Sequence, residues 1–191
     1  AKEMPRVVTW RRDFHQHPEL SNRELRTSGI VAEHLRRLGL EVKTGVAKTG
    51  VVAMLEGGRP GPTVALRADV PFRSTVTTTY QGDTVGVMHA CGHDAHTAIL
   101  MGVAEILAGL RADLPGKVLF IFQPAEEGPP DGEDGGAPLM LKDRVFASGK
   151  PDALFGLHVF STLPAGVIGY RPGPCMAGSD GFRLVVTGRQ T

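Results

Sequence analysis

Cysteine is scarce in this sequence: Cys91 and Cys175 are the only two in 191 residues. Two cysteines do not make a disulfide framework, and a chain of this length buries a core without one. Within "GPCMAG", Cys175 reads as a small buried filler. An excess of charge is also missing. Basic and acidic residues number 21 and 20, giving a net charge of +1. The basic residues are scattered, with only short pairs at Arg11-Arg12 and Arg36-Arg37. This argues against nucleic acid or an anionic membrane as the main partner. No apolar run approaches the roughly 18 residues of a membrane span. No secretory leader is visible, and a start without Met fits a trimmed product. A soluble protein of the cytoplasm and one exported to the periplasm are equally compatible with these features.

The patterning alternates between helix and strand. Pro5 suits a first helical turn and Pro18 ends that segment. Ser21 and Glu24 form a capping-box signature before a helix that Gly39 stops. Three β-rich runs follow, "LEVKTGV", "GVVAMLEG" and "TVALRAD", with "GGRPGP" as a turn between the last two. A long helix is predicted from Asp94, its N-cap, to about Arg111. "KVLFIF" (117–122) is a continuous apolar run, the mark of a central buried strand. After a Gly/Pro/acidic loop at 128–136 come a short helix in "APLMLKDRVF", a strand "DALFGLHV" and a strand in "AGVIGYR". "FRLVVTG" (182–188) reads as a strand opening a second domain. This order predicts an α/β sheet covered on both sides.

The chemistry gathers at strand ends. "RAD" (67–69), "QPAEEG" (123–128) and "GLHV" (156–159) end predicted strands, and "HACGHDAH" leads into the long helix. In open α/β sheets, sites form beyond the carboxyl ends of the strands. Cys91 and His93 flank Gly92, which lets the chain bend so that both face one point. Thiolate and imidazole together suit zinc and similar ions. The plainer reading is a buried cysteine beside helix-capping residues. Glu126 and Glu127 follow an apolar strand, and neighbours in an extended segment point in opposite directions. One carboxylate is thus free to bind a metal while the other reaches a water. The alternative is a solvated acidic loop. His158 is either a ligand or a hydrogen-bonded core residue of its strand. Asp69 is either a site residue or a turn-former. Asp94 orients a ligand histidine in addition to capping. His89 and His96 read as loop and helix surface, His15 and His17 as helix-end caps, and His34 as a packing residue. Taken jointly, Cys91, His93, Glu127 and His158 supply four ligand atoms suited to zinc, manganese or nickel, and Glu126 is left as a base.

"WRRDFHQHPELSNRE", "VALRAD", "GVMHACGHDAHTAILMGVAEILA", "FIFQPAEEG" and "FGLHV" together resemble the aminoacylase-like amidohydrolases. That group includes hippurate hydrolases, indole-acetic-acid–amino-acid hydrolases and N-acetyl-amino-acid deacetylases. The resemblance runs over essentially the whole chain. It implies a zinc-aminopeptidase-like, three-layer α/β/α domain holding two divalent ions, whether zinc, manganese, nickel or cobalt. It implies Cys91, His93, Glu127 and His158 as ligands, with Cys91 bridging, and Glu126 as general base. It also implies a small N-acyl amino acid as substrate and a homodimer when full length, and Asp69 and Asp94, from their own positions, are read as supporting carboxylates.

This sequence departs from the family pattern in two places. "RAD" runs straight into "VPFRST", so a short segment with a second aspartate is missing between Asp69 and Val70. Residues 1–181 correspond to the catalytic domain and 182–191 to the start of an inserted lid and dimerisation domain. The family's last ligand histidine and its lid histidine have no counterpart here, so the chain by itself is expected to be inactive. Two rival readings remain: a catalytically idle metal-binding module, and a cysteine hydrolase with Cys91 as nucleophile.

Overall fold

One strand with apolar residues on both of its sides organises the molecule. The computed structural model describes residues 4–69, 76–80, 82–176, 178, 184, 185, 187 and 188. Among them are helices α1 (Met4–Gln16), α2 (Leu25–Arg37), α3 (His93–Gly109) and α4 (Gly136–Lys142). The strands are β1 (Glu41–Val46), β2 (Gly50–Glu56), β3 (Arg59–Asp69), β4 (Val76–Tyr80), β5 (Asp83–Val87), β6 (Pro115–Gln123) and β7 (Ala153–Gly156). Ala1–Val159 forms one compact unit and Phe160–Thr191 a second. No helix among the described residues is long and apolar enough to cross a membrane.

The main sheet has the order β1-β2-β6-β3-β7. β3 is parallel to β6 and β7, whereas β1–β2 and β2–β6 are antiparallel. β6 contains the predicted central run and lies in the middle of the sheet. Its Val118, Phe120 and Phe122 enter a core shared with Val31 and Leu35 of α2 and with Met101 and Ala104 of α3. Leu119 and Ile121 enter a second core with Met140 of α4 and Val145. This is the period-2 alternation of a strand buried on both faces. Helices therefore cover both sides of the sheet, as the sequence predicted, with α1 packed against α3. β4 and β5 pair as a separate hairpin that the sequence reading did not anticipate.

Several local expectations need correction. α2 is not capped by a Ser21–Glu24 box. The Glu19 carboxylate accepts from the N–H groups of Arg26 and Thr27, both at 2.8 Å. The Ser21 hydroxyl is buried without a partner. Glu24 is drawn away by tertiary contacts: its carboxylate accepts from the Thr49 hydroxyl and from the Ala125 N–H. Burial raises the Glu24 pKa above the usual carboxylate range. We expect Glu19→Ala to cost about 0.5–2 kcal/mol of stability, the usual loss for a helix cap. Ser21→Ala should be neutral or stabilising, because a buried hydroxyl without a partner among the described residues is a cost to the native state. Denaturant midpoints of the two variants check this, and the reverse order would restore the capping box.

The predicted strand "DALFGLHV" stops at Gly156, so His158 lies beyond it and not inside it. β7 is at the sheet edge, and its outer positions are exposed. In the second unit, the strand predicted within "AGVIGYR" is not formed. Val167 N–H returns to the Pro164 carbonyl at 3.2 Å, Gly166 has φ 84°, and no described strand pairs with the segment. Cys175 is exposed in a loop whose residues 171–176 are all exposed, and is no core filler. The junction after Asp69 and residues 182, 183 and 186 of the strand predicted over 182–188 lie outside the described residues, and the described residues 184, 185, 187 and 188 are in no strand.

Candidate metal centre

Three parallel strands bring distant segments to one edge. Asp69 pairs with Gln123, and Arg67 pairs with Gly156, so β3, β6 and β7 end close together. The chain leaving β6 carries Glu126 and Glu127, and the chain leaving β7 carries His158. The turn into α3 supplies Cys91 and His93. Gly92 makes that turn possible on two counts. Its φ is 81°, in the left-handed region, and a Cβ there would lie 2.4 Å from Val159 Cγ2. Gly92 is the N-cap of α3, the position the sequence assigned to Asp94.

The convergence is close. Ligand atoms of Cys91, His93 and His158 lie within 4.8 Å of one another, and so do those of His93, Glu126 and Glu127. Cys91 Sγ is 3.1 Å from His158 Nε2. His93 Nε2 is 3.5 Å from a Glu126 oxygen and 3.7 Å from a Glu127 oxygen. His93 belongs to both groups and is only 1% exposed. All five residues singled out by the sequence are thus in one place. The side chain of Asp69 lies outside the described residues.

The donor set fits divalent metal ions. Neither ring nitrogen of His93 has a hydrogen-bond partner, although both are buried. Leaving such groups unmatched costs about 1–3 kcal/mol each. A cation between the imidazole and the carboxylates would remove that cost at the nitrogen facing them. With bonds of about 2.0–2.3 Å, ligands sharing a tetrahedral ion sit roughly 3.5 Å apart, and the separations of 3.1, 3.5 and 3.7 Å lie around that value. Sulfur, imidazole and carboxylate together suit zinc, manganese, nickel or cobalt.

Further residues support the edge. Asp94 is buried in the first turn of α3, where its Oδ2 accepts from His15 Nδ1 at 2.8 Å and forms an ion pair with Arg11 Nε 3.0 Å away. His15 therefore ties α1 to α3 and does not simply cap α1, whereas His17 does fold back to the Asp13 carbonyl. Ala125 is held in a left-handed conformation, φ 49°, with its N–H on Glu24. This aims the Glu126–Glu127 pair from a constrained residue. Arg67 Nε donates to Gln123 Oε1 at 2.9 Å, and its Nη2 is 3.9 Å from Glu126. Beside Glu126 opens a cleft of about 650 Å³, lined by Arg67 and Gln123 together with Met140, Leu141 and Phe146. His89 and His96 are buried rather than loop or helix surface. Burial pushes both down to about 4, so both are neutral at pH 7. His96 lies three residues after His93 on a helix, a spacing that places the two on one face. Glu24, by contrast, carried no signal beyond its capping pattern.

Comparison with known proteins agrees with this geometry. Residues 62–187 match the peptidase family M20/M25/M40. The chain is 45% identical to thermostable carboxypeptidase 2 of Saccharolobus solfataricus, over 96% of this chain and 46% of that protein. It is 42% identical to an N-acyl-L-amino acid amidohydrolase of Geobacillus stearothermophilus, over 96% of this chain and 49% of that protein. The chain belongs to the M20/M25/M40 peptidase family. A solved family member, the Bacillus subtilis YXEP protein, is described as a dinuclear metal binding peptidase. It superposes with a TM-score of 0.74 at 40% identity, over 89% of this chain and 47% of that one. The chain spans about half the length of the family relatives it matches. Its two ligand groups joined through His93 support a dinuclear metal site of the kind that family member's description names.

Proposed function

We propose that this chain provides the catalytic half of a metal-dependent hydrolase that cleaves the amide bond of N-acyl amino acids. The observation that carries this is the pair of ligand groups joined through the buried His93, with two glutamates beside it at the strand ends. The carboxypeptidase and the amidohydrolase among the relatives bear names with a common chemistry: an amide whose amine side is an amino acid. The cleft beside Glu126 is of a size for such a small molecule.

Cys91, His93, Glu127 and His158 would hold the ions. Two divalent ions, when bound, supply Lewis acidity to the scissile carbonyl and lower the pKa of water. Glu126 accepts the proton of the attacking water and returns it to the departing amine. Supporting this reading, Ala125 before it holds a left-handed conformation and the Arg67 guanidinium lies 3.9 Å from its carboxylate. Residues 1–181 belong to this catalytic part. Residues 182–191 begin an inserted lid and dimerisation domain that makes the full-length protein a homodimer.

Chelation tests the proposal. Stripping the full-length protein of metal should abolish hydrolysis of a panel of acetyl and benzoyl amino acids. Adding zinc, manganese, nickel or cobalt should restore it. One observation favours a second reading: the 3.1 Å separation of Cys91 Sγ and His158 Nε2 is also that of a cysteine–histidine nucleophile pair. Activity that survives chelation but is lost to thiol alkylation would establish that reading instead.

A further inference from the structure

His158 enters the site from the end of an edge strand, on a segment whose neighbours Leu157 and Val159 are exposed. A ligand on such a segment needs something to hold it against the helix that carries the other ligands. His96 is placed to do this. It is 2% exposed, and its Nε2 accepts from the Val159 backbone N–H at 3.0 Å. Its ring packs between those of His93 and His158, with centroids 5.4 Å and 4.6 Å away, the latter edge-on. Its own backbone N–H bonds to the Gly92 carbonyl at 3.1 Å, which fixes it to the turn bearing Cys91 and His93. The close approach of Gly92 to Val159 seals the same junction from the other side.

We infer that His96 is a positioning residue: it clamps the His158–Val159 segment to the Cys91–His93 turn, so that the two parts of the metal centre stay in register. Because Nε2 accepts the Val159 hydrogen bond, the ring proton is on Nδ1. Nε2 is therefore committed to the backbone and is not a metal donor. His96 thus differs from the ligand histidines in having Nε2 engaged by the backbone, while its Nδ1 is buried without a partner among the described residues. The inference rests on the reading of His158 as a ligand, and the test separates the two.

The test uses the full-length protein in metal-free and zinc-loaded forms. His96→Leu removes the acceptor. His96→Asn is polar but too short to reach Val159, and serves if the leucine variant does not fold. His96→Gln keeps an oxygen near the position of Nε2. In the metal-free chain, the Val159 amide should exchange at least about 10-fold faster in the leucine and asparagine variants, while the Met101 and Ala104 amides of α3 stay protected. Zinc affinity, from chelator competition, should fall about 10–100-fold in both, the usual loss for a group that supports a ligand. The glutamine variant should stay within about 3-fold of the parent in both measurements, on the same footing. Unchanged Val159 exchange in the loss variants overturns the clamp. So does a glutamine variant as defective as leucine. If the full-length parent binds no zinc, the ligand reading falls, and the clamp stands or falls on the Val159 exchange alone.

Discussion

Glu126→Gln should lower turnover on N-acyl amino acids by about 10²–10⁴-fold while leaving the metal content unchanged, the range expected when a general base is removed. Glutamine preserves the size and hydrogen-bonding reach of the side chain but accepts no proton. The partner experiment is Glu127→Gln, which should lose metal affinity before anything else. The two substitutions are needed together because the distances alone do not assign the roles. His93 Nε2 lies 3.5 Å from one carboxylate and 3.7 Å from the other. Chemistry separates what geometry leaves even: a ligand lost shows in metal content, and a base lost shows in kcat. If Glu126→Gln loses metal and Glu127→Gln loses only kcat, the roles are exchanged. If both variants keep kcat and metal, the pair is an ordinary acidic loop, and the proposed mechanism has no base.

How far the sequence revealed this arrangement depended on how local each cause was. β6 was legible because five consecutive apolar residues, Val118 to Phe122, have few other places to go. Its alternation into two cores then followed from the geometry of a strand. The Cys91–Gly92–His93 turn was legible because a glycine between two metal-binding residue types is informative within three positions. The convergence of Glu126, Glu127 and His158 on that turn was foreseen from the rule that sites lie beyond strand carboxyl ends. Parallel pairing of β3 with β6 and β7 supplies its physical basis.

What escaped was decided at long range. Ser21 and Glu24 have the local signature of a capping box. Glu24 is instead taken by Thr49 and Ala125, and Glu19 does the capping. Asp94 has the right residue type for an N-cap, but Gly92 takes that position and Arg11 and His15 from α1 engage the Asp94 carboxylate. His158 was assigned to a strand interior because its flanks are apolar. The edge strand ends earlier, and that displacement is what frees His158 to face Cys91. In each case a side chain with two chemically sensible partners took the distant one, and a single sequence does not show the distance.

The largest effect on metal binding should come from His93→Leu, because His93 is the one residue shared by both ligand groups. The variant should bind neither ion, and it should lose all metal-dependent stabilisation. An ion present at 100 times its Kd adds about 2.7 kcal/mol to the parent, which for a chain of this size raises Tm by roughly 5–10 °C. The Tm of His93→Leu should not move with zinc at all. Its metal-free Tm should equal or exceed that of the metal-free parent. The native imidazole is buried with both nitrogens unmatched, and leucine removes that penalty while filling similar space. The facing carboxylates of Glu126 and Glu127 are partly exposed and keep their water. A histidine kept for structure behaves in the opposite way: its loss lowers metal-free stability, and zinc makes no difference to either protein. Thermal melts of parent and variant, each with and without zinc, therefore decide whether this buried histidine serves the fold or the ions.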